Sequence, residues 1–375
     1  MMMTEASPKK LRYGLIGVGA NVYGMHHPGL ELDSVDVVGI CDLREDVNER
    51  VQAEWEAPAF TDYKQMIDET KPDVVVVMTP HPWHAPMAIY AMEAGAHVLV
   101  EKPMADEVAL AYDMIATAER TGKVLAVNFQ QRLRPEIIAA KNLIDSGGLG
   151  KIQHVDIKIT WTRTALYYSQ VDWRGTWTGE GGAVLMNQAP HELDLLCHLI
   201  GKPARVFCFA RTTVHDIDCE DTIQAVVEWD HGALGTLHIS TAEAGQPQRF
   251  EIIGTKGHLA ISHGGLSLKQ FDVPVDEFIR TSDQAFAAPK LADADISIGE
   301  GKGDHRSIHQ NLYDHIINGA PLAAPGTNGV YGLELANAMT FSSYTNRPVE
   351  FPLDHEAYSR LLANLRAGRQ PLEGV

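Results

Sequence analysis

The segment Gly17-Val18-Gly19 has the residue types and spacing of a phosphate-binding turn. It follows an apolar strand, residues 11–18, and precedes a helical stretch. Glycines let the backbone approach a pyrophosphate, and a helix N-terminus supplies free N–H groups and a positive dipole. The third glycine position holds Val22, so the pattern alone is also typical of a tight structural turn. The residues predicted to line the cofactor here are Gly17, Gly19, Ala20, Asn21 and Val22.

Asp42 ends the second predicted strand, 23 residues after Gly19. At this distance an acidic residue binds the adenosine ribose diol and repels a 2′-phosphate. The spacing therefore favours NAD over NADP. Arg44 is close enough to keep NADP open as an alternative. A helix N-cap is the structural interpretation of Asp42.

Two further predicted strands end near this site. Thr79 and Pro80 follow the strand 73–78, and His81 and His84 come next. Because the carboxyl ends of parallel strands face one crevice, we expect these four residues to line the cofactor. The two histidines have no companion ligands in the sequence, so we predict no metal there.

The elements around these residues alternate between strands and helices over the first 125 or so residues. The valine-rich strand 73–78 is typical of a strand buried on both faces. This alternation predicts an α/β protein with an N-terminal, doubly wound parallel sheet of the Rossmann type, residues 1–129.

The pattern changes after residue 130. Short segments of alternating polarity are joined by glycine turns, with helices expected at 135–145, 189–200, 305–318 and 330–343. Such a pattern predicts an α+β domain, residues 130–375, with a large, mostly antiparallel open sheet. Residues 273–304 are expected to form a long loop.

A fourth predicted strand ends in the run Gly95-Ala-His-Val-Leu-Val-Glu101-Lys102-Pro103. Glu101 and Lys102 are therefore also expected at the edge of the crevice. The run resembles the Glu-Lys-Pro signature of the glucose–fructose oxidoreductase, inositol dehydrogenase and rhizopine-catabolism (Gfo/Idh/MocA) family. A second family element, Gly181-Gly-Ala-Val-Leu-Met-Asn187-Gln-Ala-Pro-His191-Glu-Leu-Asp194, follows about 90 residues later. The resemblance covers nearly the whole chain and implies an NAD-dependent oxidoreductase with Glu101 and Lys102 beside the cofactor.

The resemblance implies that Lys102 and His191 are the catalytic pair. Removing hydride from a carbinol carbon requires the hydroxyl proton to leave as the carbonyl forms. An imidazole with a pKa of about 6.5 accepts that proton near neutral pH. Lys102 would stabilise the developing alkoxide or join the proton relay. The Lys102–Pro103 bond is a candidate cis peptide, because cis costs little before proline.

Asn187 stands one helical turn before His191, where many relatives carry Asp. An amide holds a substrate hydroxyl but carries no charge. Asp194 either takes over the orientation of His191 or is a surface residue. Arginine and tryptophan suit sugar hydroxyls, carboxylates and ring faces. The predicted substrate-binding residues are Arg132, Arg163, Trp173, Arg174, Asn187, His191 and Asp194.

The composition limits the class of protein. Apolar residues make up 45% and charged residues 21% of the chain, as in an ordinary globular protein. The net charge of -18 argues against nucleic-acid or anionic-membrane binding. No signal peptide is evident in residues 1–14, and four scattered cysteines predict free thiols in a reducing cytoplasm.

The leading hypothesis is hydride transfer between NAD and a pyranose, pyranoside or cyclitol. The resemblance leaves open an NAD-dependent glycosidase that acts through transient oxidation, a reductase of a non-sugar carbonyl, and a regulator without catalysis. Retention of both Lys102 and His191 argues against a regulator. Relatives associate through the open sheet, so we also expect a homodimer or homotetramer.

Overall fold

The computed structural model describes residues 9–375. The first eight residues, on which the prediction about a signal peptide partly rests, lie outside the described residues. Along residues 9–375 no helix has both the length and the apolar character needed to cross a membrane. All four cysteines are buried and free, as expected.

The described chain contains both helices and strands throughout. The helices are α1 (Tyr23–Leu30), α2 (Glu45–Trp55), α3 (Tyr63–Thr70), α4 (His84–Glu93), α5 (Val108–Thr121), α6 (Pro135–Asp145), α7 (Ala165–Ser169), α8 (Pro190–Ile200), α9 (Val275–Thr281), α10 (His305–Asn318), α11 (Gly326–Thr345) and α12 (His355–Arg366). The strands are β1 (Leu11–Ile16), β2 (Val35–Cys41), β3 (Ala59–Phe60), β4 (Val74–Val77), β5 (His97–Val100), β6 (Leu125–Val127), β7 (Ile152–Thr160), β8 (Arg205–Arg211), β9 (Thr222–Glu228), β10 (Leu234–Ser240), β11 (Arg249–Gly254), β12 (Gly257–Ser262), β13 (Gly265–Phe271), β14 (Leu291–Ala294) and β15 (Val349–Glu350).

The first sheet is parallel throughout, in the order β3-β2-β1-β4-β5-β6. All four valines of β4 are fully buried, which explains why this strand has no polar face. The order reverses between β1 and β4, and in such sheets ligands bind at the carboxyl ends beside that reversal. The predicted Rossmann sheet is confirmed.

The chain forms two compact units. The first contains the described residues up to Gln130 together with Gly303–Val330, and the second contains Gln131–Lys302 and Tyr331–Val375. The predicted boundary after residue 129 places α10 in the second domain, whereas in the structure α10 packs against α1. A helix late in the chain therefore belongs with the first sheet.

The sheet of the second unit has the order β14-β13-β12-β11-β7-β10-β9-β8-β15. Every neighbouring pair is antiparallel except β7 and β10, which run parallel. Side chains along β9 alternate between buried and exposed, which is the pattern of a sheet with only one face against the core. The predicted large, mostly antiparallel sheet is confirmed.

Some elements toward the C-terminal end differ from the prediction. The expected loop at 273–304 contains α9 and β14, neither of which has a clear apolar period. A further helix, α12, follows the last helix that the sequence predicts. The N-cap of α12 is Asp354, whose carboxylate accepts the N–H of Ala357.

Candidate functional site

The turn after β1 lies against the ends of β2 and β4. Gly17 has a φ of +86°, and a Cβ on it would lie 2.9 Å from the backbone N of Thr79. The N–H of Gly19 donates to Oδ2 of Asp42 at 2.7 Å. A Cβ at Gly19 would collide with that carboxylate. Position 17 therefore requires glycine, whereas a side chain at position 19 would have to displace the side chains of Asp42 and Arg44. An acidic residue stands beside the turn, as an NAD site needs.

Asp42 also contacts Arg44, the residue that keeps NADP open as an alternative cofactor. Its Oδ1 accepts the backbone N–H of Arg44 at 3.1 Å, and the guanidinium Nε of Arg44 lies 3.4 Å away. The side chain of Arg44 is more than half exposed. The rest of the turn leads into α1 and consists of Ala20, Asn21 and Val22.

His84 joins two of the loops at the carboxyl edge of the first sheet. Its Nε2 lies 2.6 Å from the carbonyl oxygen of Thr79, and its Nδ1 lies 2.8 Å from that of Pro103. Burial lowers the pKa of His84, although both carbonyl acceptors favour its protonated form. His84 is fully buried and positions these loops, while the neighbouring His81 is also buried. Their predicted contact with the cofactor remains a prediction.

Glu101 is a buried carboxylate surrounded by hydrogen-bond donors. Its Oε1 lies 2.8 Å from Nε2 of His26 and 3.6 Å from Nε2 of His305, and it accepts the side-chain amide of Asn128. Burial alone would raise the pKa of Glu101, but the hydrogen bond from His26 and the nearby imidazole of His305 hold it well below the ordinary value. Glu101 therefore stays ionised inside the first unit.

The histidine cluster continues behind His26. Its Nδ1 lies 2.9 Å from Nε2 of His309, which is fully buried on α10. Burial holds the pKa of His309 well below its ordinary value, and protonation of His309 would also be opposed by any proton on His26 or His305. Burial lowers the pKa of His26 as well. Both directions indicate neutral rings, with Nε2–H of His309 donating to His26 and Nε2–H of His26 donating to Glu101.

His26, Glu101 and His305 are also the one group in residues 9–375 whose donor atoms come close enough to hold a metal. The sequence alone does not reveal this group, because His26 and Glu101 lie far from His305 in the chain. Oε1 of Glu101 already accepts two N–H donors, His26 and Asn128. A metal at this oxygen would displace both hydrogen bonds, so the arrangement is better explained as a hydrogen-bonded cluster.

Lys102 follows β5 at the carboxyl edge of the first sheet. Its backbone N–H donates to Oε2 of Glu101 at 3.1 Å, so the buried carboxylate fixes the backbone at this point. The Lys102–Pro103 peptide bond is cis. The side chain of Lys102 is partly buried.

His191 lies in the first turn of α8, in the second unit. Pro190 begins this helix, as proline often does at a first helical position. A π-helical turn, Val184–Gln188, comes directly before it and contains Asn187. Glu220 stabilises the start of that turn, because its Oε1 accepts the backbone N–H groups of Ala183 and Leu185.

The side-chain amide of Asn187 donates to a buried carboxyl group, that of Glu180. The other oxygen of Glu180 accepts the N–H of Gly175 at 2.6 Å. Burial raises the pKa of Glu180 to about 7. Asn187 carries no charge of its own, but a titratable carboxyl group is in contact with it.

Tyr167 connects Asn187 and Gln188 to two arginines. Its hydroxyl accepts the amide N–H of Gln188 at 2.7 Å and lies 3.4 Å from that of Asn187. The Cζ atoms of Arg163 and Arg174 lie 5.2 and 4.3 Å from the centroid of its ring. The Cζ of Arg174 is also 5.3 Å from a ring of Trp173. The structure thus brings together four of the predicted substrate residues, Arg163, Trp173, Arg174 and Asn187.

Arg132 and Asp194 form a buried ion pair instead. Nε of Arg132 donates to Oδ2 of Asp194 at 2.8 Å, and Nη2 donates to Oδ1 at 2.5 Å. Both residues are at most 3% exposed. The alternative that Asp194 is a surface residue is wrong. Because each charge neutralises the other, the geometry does not support the predicted contact of this pair with substrate.

The sequence did not reveal the residues that contact the predicted site residues or their hydrogen-bond partners. These are His26, Asn128, His305 and His309 in the first unit, and Tyr167, Glu180, Gln188 and Glu220 in the second. The i, i+4 spacing of His305 and His309 was a visible signal, but their partners come from α1 and β5. The contacts depend on tertiary structure that spacing does not reveal.

Comparison with known proteins identifies both parts of the chain. Residues 11–129 match the model of an oxidoreductase family with an NAD-binding Rossmann fold. Residues 137–260 match the model of the Gfo/Idh/MocA C-terminal domain. The two matches together cover more than half of the chain.

Three relatives illustrate the range of similar proteins. The WlbA dehydrogenase of Chromobacterium violaceum, solved with NADH and UDP-GlcNAcA, is 28% identical with a TM-score of 0.80, covering 94% of this chain and 100% of that one. The uncharacterised oxidoreductase YdgJ of Escherichia coli is 26% identical over 66% of this chain and 70% of its own length. An α-N-acetylgalactosaminidase of Shewanella oneidensis is 29% identical over 44% of this chain, but the match spans only 39% of that enzyme.

Proposed function

Because the chain belongs to the Gfo/Idh/MocA family of NAD-binding oxidoreductases, we propose that it is a dehydrogenase of a sugar or cyclitol. The reaction would interconvert a secondary carbinol and a ketone on a pyranose, pyranoside or inositol-type substrate. One relative, WlbA, was solved with NADH and a sugar nucleotide, which supports this substrate class.

The observation that carries the proposal is the arrangement at the carboxyl edge of the first sheet. The glycine turn follows β1, Asp42 follows β2, and Lys102 follows β5. In a doubly wound sheet this edge is where a dinucleotide and its reacting partner bind. The buried Glu101 fixes the backbone of Lys102 at that edge.

In this proposal the residues of the glycine turn hold the pyrophosphate, and Asp42 holds the adenosine ribose. Bound NAD supplies the hydride acceptor of the oxidation. His191 accepts the hydroxyl proton as the carbonyl forms, and returns it in the reverse direction. The ammonium group of Lys102 stabilises the negative charge that develops on the oxygen. Asn187 positions a substrate hydroxyl.

A spectrophotometric screen tests this proposal. The purified protein is incubated with NAD or NADP and a panel of pyranosides, sugar acids, anhydrosugars and inositols. We expect stoichiometric NADH formation with at least one member, and NMR of the product to locate the oxidised carbon. NAD binding without reduction by any member of the panel would contradict the proposal.

A second candidate function is NAD-dependent glycosidic cleavage. It is favoured by the similarity to the α-N-acetylgalactosaminidase. The two activities differ in their net redox change. Release of a sugar from a glycoside without accumulation of NADH would indicate the glycosidase, whereas NADH equal to the product formed would indicate the dehydrogenase.

We also propose that the protein is a homo-oligomer that associates through the open face of the second sheet. Large apolar side chains on β8, β9 and β10 are about half exposed on that sheet, namely Phe209, Val226 and Leu234. A second copy would cover these side chains and remove their apolar surface from water.

A further inference from the structure

Arg163 and Arg174 are two positively charged side chains of the second unit that lie against one tyrosine ring. Some arginines of the chain pair with acidic side chains, for example Arg134 with Glu136 and Arg249 with Asp156. In residues 9–375 neither Arg163 nor Arg174 has such a pair. What distinguishes these two arginines is that both guanidinium groups lie against the same ring, that of Tyr167.

Some N–H groups of the two arginines have no hydrogen-bond acceptor among the described residues. Nε of Arg163 donates to Oε1 of Gln188 at 2.9 Å, and its Nη1 lies 3.4 Å from the carbonyl of Thr162. Nη1 of Arg174 donates to the carbonyl of Tyr167 and to Oε1 of Gln170. Among the described residues Nη2 of either arginine has no acceptor, and the buried Nε of Arg174 has none. Buried donors without acceptors are rare in folded proteins.

An acidic group that interacts electrostatically with Arg174 already has other hydrogen-bond partners. Glu180 contributes to the electrostatic environment of Arg174, but its oxygens accept the N–H of Gly175 and the amide of Asn187. The tyrosine ring holds the two guanidinium groups through cation–π contacts, which limits their freedom without using their in-plane donors. Such preorganised forks bind carboxylate and phosphate oxygens with two parallel hydrogen bonds.

We propose that Arg163 and Arg174 bind an anionic group of the substrate, so that the substrate is an acidic sugar derivative. This inference rests on the proposed function, because it assigns the substrate class of that same site. Tyr167 links the arginines to Asn187, one helical turn before His191. An anion held by the arginines would therefore orient the sugar relative to Asn187.

Two chemical sources supply such an anion: a carboxylate on the sugar ring or the diphosphate of a nucleotide sugar. Four compounds separate them, namely a methyl hexopyranoside, the matching methyl hexuronide, the UDP-hexose and the UDP-hexuronate. The gluco, galacto and N-acetylglucosamine series are each tested. Binding to the NADH-loaded protein is measured by calorimetry, and turnover with NAD is measured by the absorbance of the NADH formed.

We expect anionic members of at least one series to bind about 10- to 100-fold more tightly than the neutral glycoside, the range of a charged hydrogen bond. A gain for the hexuronide alone assigns the carboxylate, and a gain for the UDP-hexose assigns the diphosphate. Equal binding of neutral and anionic members, or no binding of any compound, would overturn the inference. Binding without hydride transfer would count against the proposed function only.

Substitutions of the two arginines test whether they bind the anionic group. Arg163→Gln and Arg174→Gln should each lose most of the preference for the anion, while Arg163→Lys retains part of it because the charge remains. Arg280→Gln, an exposed arginine on α9, is the matched control for loss of one charge. If Arg174→Gln does not fold, the assignment is tested by Arg163→Gln and by the salt dependence of wild-type binding. Equal loss for neutral and anionic compounds would show a structural role and refute the assignment.

Discussion

Nε2 of His26 lies 2.8 Å from Oε1 of Glu101, and both side chains are buried in the first unit. The two residues are 75 positions apart, on α1 and just after β5. One follows the predicted phosphate-binding turn and the other precedes Lys102. The contact therefore joins the segment proposed to hold the cofactor to the segment that carries a proposed catalytic residue.

Replacing His26 should reduce stability and catalysis together. His26→Leu removes a hydrogen-bond donor from a buried carboxylate, which costs about 2 kcal/mol of the free energy of unfolding. Because Glu101 also fixes the backbone of Lys102, we expect kcat to fall at least tenfold. Urea unfolding and initial rates measure these effects. The control is His27→Gln, a partly exposed neighbour on the same helix, and equal losses in both variants would refute the role of His26.

Lys102→Ala and His191→Ala test the catalytic pair. Each should lower kcat by about 100- to 10,000-fold, the range for loss of a general base or an electrostatic stabiliser. NADH binding, followed by fluorescence, should change little. Lys64→Ala and His231→Ala remove exposed residues of the same types and should leave kcat unchanged. A near-normal rate in either site variant would remove that residue from the mechanism.

Asp42→Ala should weaken NAD binding and relax the preference for NAD over NADP. Loss of the carboxylate removes a hydrogen-bond acceptor for the ribose and its repulsion of a 2′-phosphate. Arg44, 3.4 Å from Asp42, would remain to contact that phosphate. We expect the KM for NAD to rise about tenfold. Asp46→Ala on α2 is the exposed control, and an unchanged NAD to NADP ratio in Asp42→Ala would contradict the ribose contact.

Glu180 should make stability depend on pH. Burial raises its pKa from the ordinary 4.5 to about 7, so the folded protein holds this proton more tightly than the unfolded chain. Its contribution to the free energy of unfolding is therefore present below pH 4.5 and is lost as the pH rises through 7, by up to about 3 kcal/mol.

Glu180→Gln removes this titration while keeping a hydrogen-bonding side chain. Other groups also titrate as the pH changes, so the useful quantity is the difference in unfolding free energy between wild type and variant. That difference should fall between pH 4.5 and about pH 7 in urea titrations. Glu356→Gln, at an exposed carboxylate on α12, should show no such trend. A flat difference for Glu180→Gln would mean that the carboxyl is not titrating in this range.

Association through the open sheet predicts a light-scattering mass of two or four chains at micromolar concentration. Phe209→Asp and Val226→Asp place charges on that face and should shift the mass toward one chain. Ile279→Asp, at an exposed apolar residue on α9, is the control. A wild-type mass of one chain would refute the oligomer, and an unchanged mass in both sheet variants would refute the assigned surface.

Local patterns predicted most of the first unit correctly because each of its features depends on neighbouring residues. The buried valines of β4 are an example. The helix α6 in the second unit, which begins at Pro135, was predicted in the same way. Long-range pairs were not predictable in this way. Arg132 and Asp194 are 62 residues apart, and only the packing of their elements shows that the two charges meet.

The same limit applies to weakly patterned segments. α9 has no buried residue and β14 is largely exposed, so neither has the apolar period by which an element is predicted. α10 was predicted with its observed bounds, but not its assignment to the first unit. Amphipathic periodicity indicates that a helix has a buried face without indicating which sheet it covers.

The late position of α10 bears on how the protein is made. His309 is 283 residues after its partner His26, so translation completes the first sheet long before the ribosome releases this helix. Until then the nascent sheet lacks His305, one of the imidazoles that surround Glu101, and also His309, which contacts His26. A chain truncated at residue 130 would keep that carboxylate without either of them. The first unit can therefore complete its folding only after most of the second unit has been synthesised.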